Sequence, residues 1–204
     1  MAVRVDLAVL HAEEYAPART PRVVTVGPAR FLSLGGSGEP GGPAFQQQVR
    51  DLHRVAAVLR GRIRRARGKD FKLPPVEALW WEEGEIQDAG GSAPGQASWK
   101  LLLRMPSFVR PRDLPGAVEA LADAEVATRS AAVRLEDLKE GRCVQALHVG
   151  PWGERQDTLE RMRRAAAELD LAFHGRRHEV YFSDPRRVPP ERTRTLLRMP
   201  VRAR

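Results

Sequence analysis

The chain has 204 residues, of which 42% are hydrophobic and 29% charged, a composition typical of a globular protein. No apolar run is long enough to span a bilayer, and the N-terminal stretch MAVRVDLAVLHAEEYAP has neither the apolar centre nor the cleavage site of a secretory signal. We therefore expect a cytoplasmic protein with no membrane partner. The single cysteine, Cys143, cannot form an internal disulfide, which agrees with a reducing compartment.

The net charge of +8 raises the question of nucleic acid as a partner. Many of the positive charges alternate with acids, as in RQDTLERMRRAAAELD, and such alternation is typical of a solvated helix face. The densest basic cluster, RGRIRRARGK at 60–69, is interpreted in the same way, as a solvated helix end. Nucleic acid is therefore not the expected partner.

The first half of the chain predicts an extension followed by strands and one helix. Residues 1–20 form the extension, which ends in the loop signal APARTP, and VVTVGPARFLSLGG then indicates short strands broken by Gly and Pro. The segment GGSGEPGGP at 35–43 indicates a loop. Apolar residues then recur at steps of three and four from Phe45 to Ile63, which predicts an amphipathic helix. KLPPVEALWWEE and SWKLLLRMP predict two strands around the loop IQDAGGSAPGQA.

The second half predicts the same plan. A helix is expected from about Asp113 to Ala127, with Asp113 as its N-cap, and VRLEDLKEGR leads into the strand CVQALHVG. The loop GPWGERQD precedes a helix that carries Leu159, Met162 and Leu169 on one face. HEVYFSDP and TLLRMPV predict the last two strands.

The pentapeptide LLRMP ends both series, at 102–106 and at 196–200. Because each half predicts strand, Gly-containing loop, helix, strand and strand, internal duplication is the best account of this repeat. The predicted fold class is α+β: two duplicated βαββ units, about 21–110 and 111–204, form a pseudo-symmetric antiparallel sheet. We expect the helices on one face and a ligand cleft between the halves.

The strand HEVYFSDP contains the main candidate site residues. Its period of two places Glu179 and Tyr181 on one face, where a carboxylate and a phenol could hold a ligand or act on water. In EALWW, the same period places Glu77 and Trp81 on one face and Trp80 on the other. We expect Trp80 in the core and the other two beside the cleft. The alternative is that these are edge-strand or core residues without a function.

Two further residues follow a strand end and could close the cleft. Trp152 lies in the loop after CVQALHVG, where an aromatic ring can cover a ligand, and His148 points to the side opposite Leu147. A structural role remains open for each. The five histidines show no metal-ligand spacing with cysteine or carboxylates, and GGSGEPGG is not a phosphate-binding loop. No metal or organic cofactor is expected.

Five segments together make the chain resemble the GyrI-like small-molecule-binding proteins, from about Pro21 to the C-terminus: RFLSLGGSGEPGGPAF, LPPVEALWW, LLLRMPSFV, CVQALHVGPWGE and HEVYFSDPRRVPPERTRTLLR. The chain is most similar to their stand-alone bacterial branch. The resemblance implies a duplicated βαββ fold that binds aromatic or cationic xenobiotics, with Glu179 in contact with the ligand. Where the family often carries tyrosines in a helix, this chain has LHRVAAV, so we expect His53 to line a roomier pocket.

Some stand-alone members look like hydrolases that open the cyclopropane ring of DNA-alkylating antibiotics, which gives detoxification or self-resistance. The resemblance then implies that Glu179 and Tyr181 are catalytic, and we expect Trp81, Trp152 and Phe108 to sandwich the flat substrate. Three alternatives remain open: a protein that sequesters drugs without turnover, an effector of a protein partner such as DNA gyrase, and a nucleic-acid binder.

Overall fold

The structure, a computed structural model, describes residues 4–82, 97–121, 124–184 and 186–204. Within these ranges the strands are β1 (Arg4–Val5), β2 (Arg22–Val26), β3 (Ala29–Gly38), β4 (Asp70–Phe71), β5 (Val76–Glu82), β6 (Ala97–Met105), β7 (Arg134–Leu138), β8 (Gly141–Val149), β9 (Leu171–Phe173), β10 (Arg177–Tyr181) and β11 (Arg194–Ala203). The helices are α1 (Leu7–Leu10), α2 (Ala12–Tyr15), α3 (Pro43–Arg67), α4 (Leu114–Glu119), α5 (Ala124–Ser130) and α6 (Gln156–Ala167). Single 3-10 turns lie at Pro111–Asp113, Trp152–Glu154 and Pro190–Arg192.

One large antiparallel sheet organises the molecule, in the order β2-β8-β11-β10-β5-β6-β3-β7, with β9 paired to β11. The short strands β1 and β4 form a separate parallel pair. The helices α3 and α6 each cover one half of the same face, through two separate hydrophobic clusters. The α+β class and the antiparallel sheet predicted from the sequence are confirmed.

The sheet has a pseudo-twofold arrangement, with β5 and β10 paired at its centre. On one side lie β3-α3-β5-β6 and on the other β8-α6-β10-β11. The strand that precedes each unit crosses to the other unit: β2 pairs with β8, and β7 pairs with β3. The halves are therefore joined by exchanged edge strands as well as by the central pair.

The strand register supports the duplication that LLRMP suggests. Leu102 of the first copy pairs with Glu77 in β5, and Leu196 of the second copy pairs with Val180 in β10. In each copy the leucine before the arginine, Leu103 or Leu197, packs in a cluster under a helix. The two copies therefore hold equivalent positions in the two halves.

The helix predicted from the apolar stripe is α3, and it is longer than the stripe. Its buried positions include Phe45, Leu52 and Ile63. Pro43 suits the first turn because its missing N–H would have no partner there. The helix ends at Gly68, whose φ of 64° is the left-handed conformation that glycine adopts at least cost.

Two predictions about local structure need correction, and a third is not tested. The single helix predicted over 113–127 consists of α4 and α5, two short helices. The predicted loop at 35–43 starts later because β3 continues to Gly38. A Cβ on Gly36 would lie 2.7 Å from Nε1 of Trp99, so glycine lets the strand continue beside that indole. The predicted loop at 86–97 falls outside the described residues, apart from Ala97.

The helices α1 and α2 of the N-terminal extension pack on the sheet face opposite α3 and α6, whereas Val5 in β1 packs against the cluster under α3. The Tyr15 ring is buried against Val180 and Leu196. This adds two one-turn helices, α1 and α2, to a face that the sequence analysis left uncovered. No helix in the described ranges is long and apolar enough to cross a membrane.

Candidate functional site

A cleft of about 970 Å³ opens on the helix side of the sheet, beside α3 and over the central strands β5 and β10. Its volume lies in the range of small-molecule sites. The walls come from α3, the turn that carries Trp152, and the segment after β10. Its lining includes Phe45, Val49, Arg50, His53, Arg54, Val76, Trp80, Trp152, Tyr181, Asp184, Arg186, Arg187 and Thr195.

Aromatic rings form the apolar part of this lining. The Trp80 ring stacks on Phe45 with centroids 5.4 Å apart and 17° between the planes. Trp152 lies 5.4 Å from Trp80, and Tyr181 meets Phe45 edge-on at 6.1 Å. Large flat surfaces of this kind favour a planar aromatic ligand, which can stack or meet them edge-on.

A chain of hydrogen bonds runs along the floor of the cleft. The Trp80 indole N–H donates to the Tyr181 hydroxyl oxygen at 2.8 Å, and the Tyr181 hydroxyl donates to Glu179 Oε2 at 3.0 Å. The Trp152 indole N–H donates to the same carboxylate oxygen at 2.7 Å. Glu179 is fully buried, whereas Tyr181 lines the cleft. The phenol therefore stands between the cleft and the acid.

Two guanidinium groups compensate the buried charge of Glu179. Arg177 Nε donates to Glu179 Oε1 at 2.8 Å, and Arg155 Nε lies 3.4 Å from the same oxygen. The Arg155 guanidinium carbon also sits 3.4 Å from the centroid of the Trp152 ring. A buried carboxylate needs such pairing, because the loss of its hydration would otherwise be strongly destabilising.

The Tyr181 hydroxyl stays neutral over the physiological range. Burial raises its pKa, and the adjacent negative charge of Glu179 raises it further, well above the usual value of 10. Tyr181 therefore acts as a hydrogen-bond donor to Glu179 rather than as a phenolate.

The acid and the phenol come from one half of the duplication. When the two copies of LLRMP are aligned through the strand pairing, Glu179 matches Val76 and Tyr181 matches Ala78. The first half thus contributes apolar side chains at these positions. The strands of the sheet follow the pseudo-twofold arrangement, but the polar side chains of the site come from the second half only.

The structure brings three of the predicted residues to the cleft lining, Tyr181, Trp152 and His53, and it places the fully buried Glu179 behind Tyr181. His53 lies on α3 one turn after Val49, and its Nδ1–H donates to the Val49 carbonyl oxygen at 2.9 Å. Whether these residues bind or transform a ligand stays a prediction.

Trp81 and Glu77 lie on the opposite face, so the expectation that they flank the cleft is wrong. In β5 the cleft side carries Val76, Ala78 and Trp80, because Glu179 pairs with Ala78 and directly paired residues share a face. Trp81 instead lies under the Arg176 guanidinium, 3.9 Å from the ring centroid. Trp80 is buried as expected, but it also lines the cleft.

His148 and Phe108 also lie outside the cleft lining. His148 contacts Thr158 Oγ1 at 3.1 Å and the Pro151 carbonyl oxygen at 3.0 Å, so it holds the turn that presents Trp152. Phe108 follows the end of β6 and packs edge-on against Phe71, with centroids 6.1 Å apart. The chain has left the central strands by that point, which explains why this ring does not reach the site.

The sequence analysis missed Arg155 and Arg177 as partners of Glu179. Arg177 had a signal, since it precedes Glu179 by two residues and therefore points to the same side of β10. Arg155 lies in a turn and had none. Within the described ranges, no group of three or more His, Cys, Asp or Glu is placed to hold a metal ion.

Comparisons with known proteins agree with this fold. Residues 107–202 match the GyrI-like small molecule binding domain. Among solved structures, a hydrolase from Listeria innocua shares 30% identity with a TM-score of 0.84, over 98% of this chain and 100% of that one. A conserved protein from the same organism shares 32% identity with a TM-score of 0.83 over the same shares of the two chains. A further L. innocua structure described as a hydrolase gives 30% identity and a TM-score of 0.85, again with the same coverage. A comparison with curated proteins gives no match.

The duplicated sheet and its aromatic cleft define a small-molecule-binding protein. The chain belongs to the GyrI-like family.

Proposed function

We propose that the protein binds planar aromatic xenobiotics in the cleft and adds water to a strained cyclopropane ring that such a compound carries. The observation that carries the proposal is the Tyr181 hydroxyl, a neutral polar group in an aromatic cleft, hydrogen-bonded at 3.0 Å to the buried Glu179. Relatives described as hydrolases support a hydrolytic reaction. The GyrI-like domain supports a small-molecule substrate.

The proposed step joins the oxygen of water to a carbon of the strained ring. A carbon–carbon bond of the ring breaks, and its electron pair moves into the conjugated carbonyl, which becomes a phenolate. The proton of the water passes to the Tyr181 oxygen while the Tyr181 proton passes to Glu179 Oε2. This relay is needed because Glu179 is fully buried, and it keeps Tyr181 neutral throughout. Solvent then protonates the phenolate, and Glu179 returns its proton to solvent through Tyr181, which restores the carboxylate for the next turnover.

The aromatic walls position the substrate for this step. A flat ring system stacked beside Trp80 and Trp152 would hold its strained ring over the floor of the cleft, near Tyr181. Because the electrophilic carbon is consumed, the water adduct can no longer alkylate DNA. Turnover would therefore detoxify the compound.

A second candidate function is binding without turnover. It is favoured by the surroundings of Glu179, whose oxygens already accept hydrogen bonds from Trp152, Tyr181 and Arg177. A carboxylate has about four acceptor positions, so little capacity remains for a water. The protein would then protect the cell by sequestration.

Incubation with a duocarmycin-type compound that bears the cyclopropane ring separates these functions. Under the hydrolase proposal, mass spectrometry finds multiple turnovers to a product heavier by one water. Stoichiometric recovery of the unchanged compound would instead support sequestration.

The roles of the two residues are tested by Tyr181→Phe and Glu179→Gln. We expect each to lower turnover by about 10²-fold or more, the size of a lost proton transfer, while the compound still binds. Trp81→Phe, on the opposite face, is the matched control and should turn over normally. Unchanged turnover in both site variants would exclude the relay.

A further inference from the structure

The mouth of the cleft is strongly basic. Arg50 and Arg54 lie one turn apart on α3, and Arg186 and Arg187 lie across the opening, after β10. Among the described lining residues, Asp184 is the single acid. Four guanidinium groups thus face one carboxylate.

The one acid at the mouth is already paired. Asp184 accepts hydrogen bonds from Arg186 Nε at 2.9 Å and Nη2 at 2.7 Å, and Arg187 Nε lies 3.7 Å away. These hydrogen bonds with Arg186 lower the pKa of Asp184 to about 2. Its charge is therefore present at neutral pH but is offset by its own neighbours.

The two arginines on α3 have less compensation. Arg50 donates to the neutral amide oxygen of Gln47 at 2.6 Å. Arg54 lies 3.8 Å from Asp51, a buried acid that also pairs with Arg129 at 2.9 Å. The Arg54 side chain remains 52% exposed. This wall of the cleft therefore has excess positive charge.

Among the described residues, the floor offers aromatic faces but no unpaired carboxylate to an organic cation. Glu179, which lies behind Tyr181 beneath the floor, is paired with Arg177 and Arg155 and is fully buried. The one negative charge of Glu179 and the two positive charges of Arg177 and Arg155 give this cluster a net positive charge. An organic cation in the cleft would be repelled from both directions.

We infer that the cleft selects planar aromatic molecules that carry an anionic group, such as a carboxylate, sulfonate or phenolate, and disfavours organic cations. The inference rests on the proposed function in one respect, the occupation of the cleft by a planar aromatic molecule. The anionic group lies at the mouth between Arg50 and Arg54, and the rings lie against Trp80. The same field would stabilise the phenolate that ring opening produces.

A pair of dyes that differ by one charge tests this selectivity. The probes are 1-anilinonaphthalene-8-sulfonate and its uncharged parent, N-phenyl-1-naphthylamine, with 9-aminoacridine as a cation of similar size. We expect the sulfonate to bind about tenfold more tightly than the parent at low ionic strength, with the cation weakest. The advantage should shrink at about 0.5 M salt, because exposed charges are then screened.

Three variants locate the effect. The double variant Arg50→Gln with Arg54→Gln should lower the affinity for the sulfonate to about that for the uncharged dye. The affinity for the uncharged dye should not change. Arg64→Gln, an exposed arginine on the same helix outside the cleft lining, should change neither. Val49→Trp fills the cleft and should weaken both dyes.

The outcomes distinguish the two proposals. If both dyes bind to Val49→Trp as tightly as to the unsubstituted protein, the cleft is not the binding site. The proposed function then fails together with this inference. If the uncharged dye binds in the cleft but the sulfonate binds no more tightly, or the cation binds best, only the charge selectivity is overturned. The charge selectivity is supported if the sulfonate binds more tightly than the uncharged dye to the unsubstituted protein and to Arg64→Gln, but not to the Arg50→Gln, Arg54→Gln double variant.

Discussion

Two indole N–H groups determine the hydrogen-bond directions at the floor of the cleft. An indole nitrogen can donate but cannot accept, so Trp80 must donate to the Tyr181 oxygen. The Tyr181 proton is then directed to Glu179, which accepts from Trp152 as well. The residues that form the aromatic walls therefore also orient the polar chain.

Trp152→Phe should separate these two roles. Phenylalanine keeps an aromatic ring beside Trp80 but removes the N–H that binds the buried Glu179. We expect the free energy of unfolding to fall by about 1–3 kcal/mol, the usual cost of a lost hydrogen bond to a charged group. Urea denaturation measures this, with Trp81→Phe as the control. Equal losses in the two variants would mean that the bond to Glu179 contributes nothing specific.

The sequence could predict one side of this site better than the other. The period of two in HEVYFSDP was sufficient to place Glu179 and Tyr181 together. The same period divided Trp80 from Trp81 but could not say which of them faces the cleft. That depends on the pairing of Glu179 with Ala78, a contact between the two halves that no local pattern encodes.

The N-terminal segment is held to the sheet by the arginines of the two LLRMP copies. Arg104 Nη1 lies 2.5 Å from Glu14 Oε2, and Arg198 Nη2 donates to the Glu14 carbonyl oxygen at 2.7 Å. Both arginines are nearly fully buried on the face opposite the cleft. In each copy, the second leucine (Leu103 or Leu197) thus faces the helix side and the arginine faces the N-terminal side.

Tyr15→Phe tests how this segment is attached. The Tyr15 hydroxyl donates to the buried Glu77 at 2.6 Å, and its loss leaves that carboxylate oxygen without this donor. We expect a loss of about 1–3 kcal/mol in stability and faster hydrogen exchange of the amides in residues 7–15. Glu13→Gln, an exposed neighbour, is the control. Unchanged exchange in Tyr15→Phe would show that apolar packing alone holds the segment.

The two halves of the molecule are also connected through a buried ion cluster. His178 Nε2 lies 2.9 Å from Glu77 on β5, and its Nδ1 lies 2.9 Å from Glu140, which precedes β8. Glu140 in turn pairs with Arg198 at 2.8 Å. Because both ring nitrogens face carboxylates, the imidazolium form of His178 fits this position best.

The stability of the whole molecule should therefore depend on pH through His178. Burial alone would lower its pKa, but the charge of Glu140 and the contacts with both acids outweigh burial and raise the pKa from 6.5 to about 9. A raised pKa in the folded state means that the stabilisation is complete below pH 6.5 and is lost as the pH rises through 9. The shift corresponds to roughly 3 kcal/mol.

Glu140 acts in the opposite sense: its pKa is lowered to about 2, so its contribution is lost as the pH falls from 4.5 toward 2.

Urea unfolding between pH 6 and pH 9.5 measures this dependence. The natural protein should lose stability steadily across that range, and His174→Gln, which removes an exposed histidine, should behave identically. Glu140→Gln removes the negative charge that raises the pKa of His178 most, so this pKa should fall and the loss of stability should begin at lower pH. Titration of the His178 ring by NMR gives an independent measurement in the folded protein. A stability that stays flat from pH 6.5 to 9, or an imidazole that titrates near 6.5, would mean that the cluster does not hold a charged histidine between the halves.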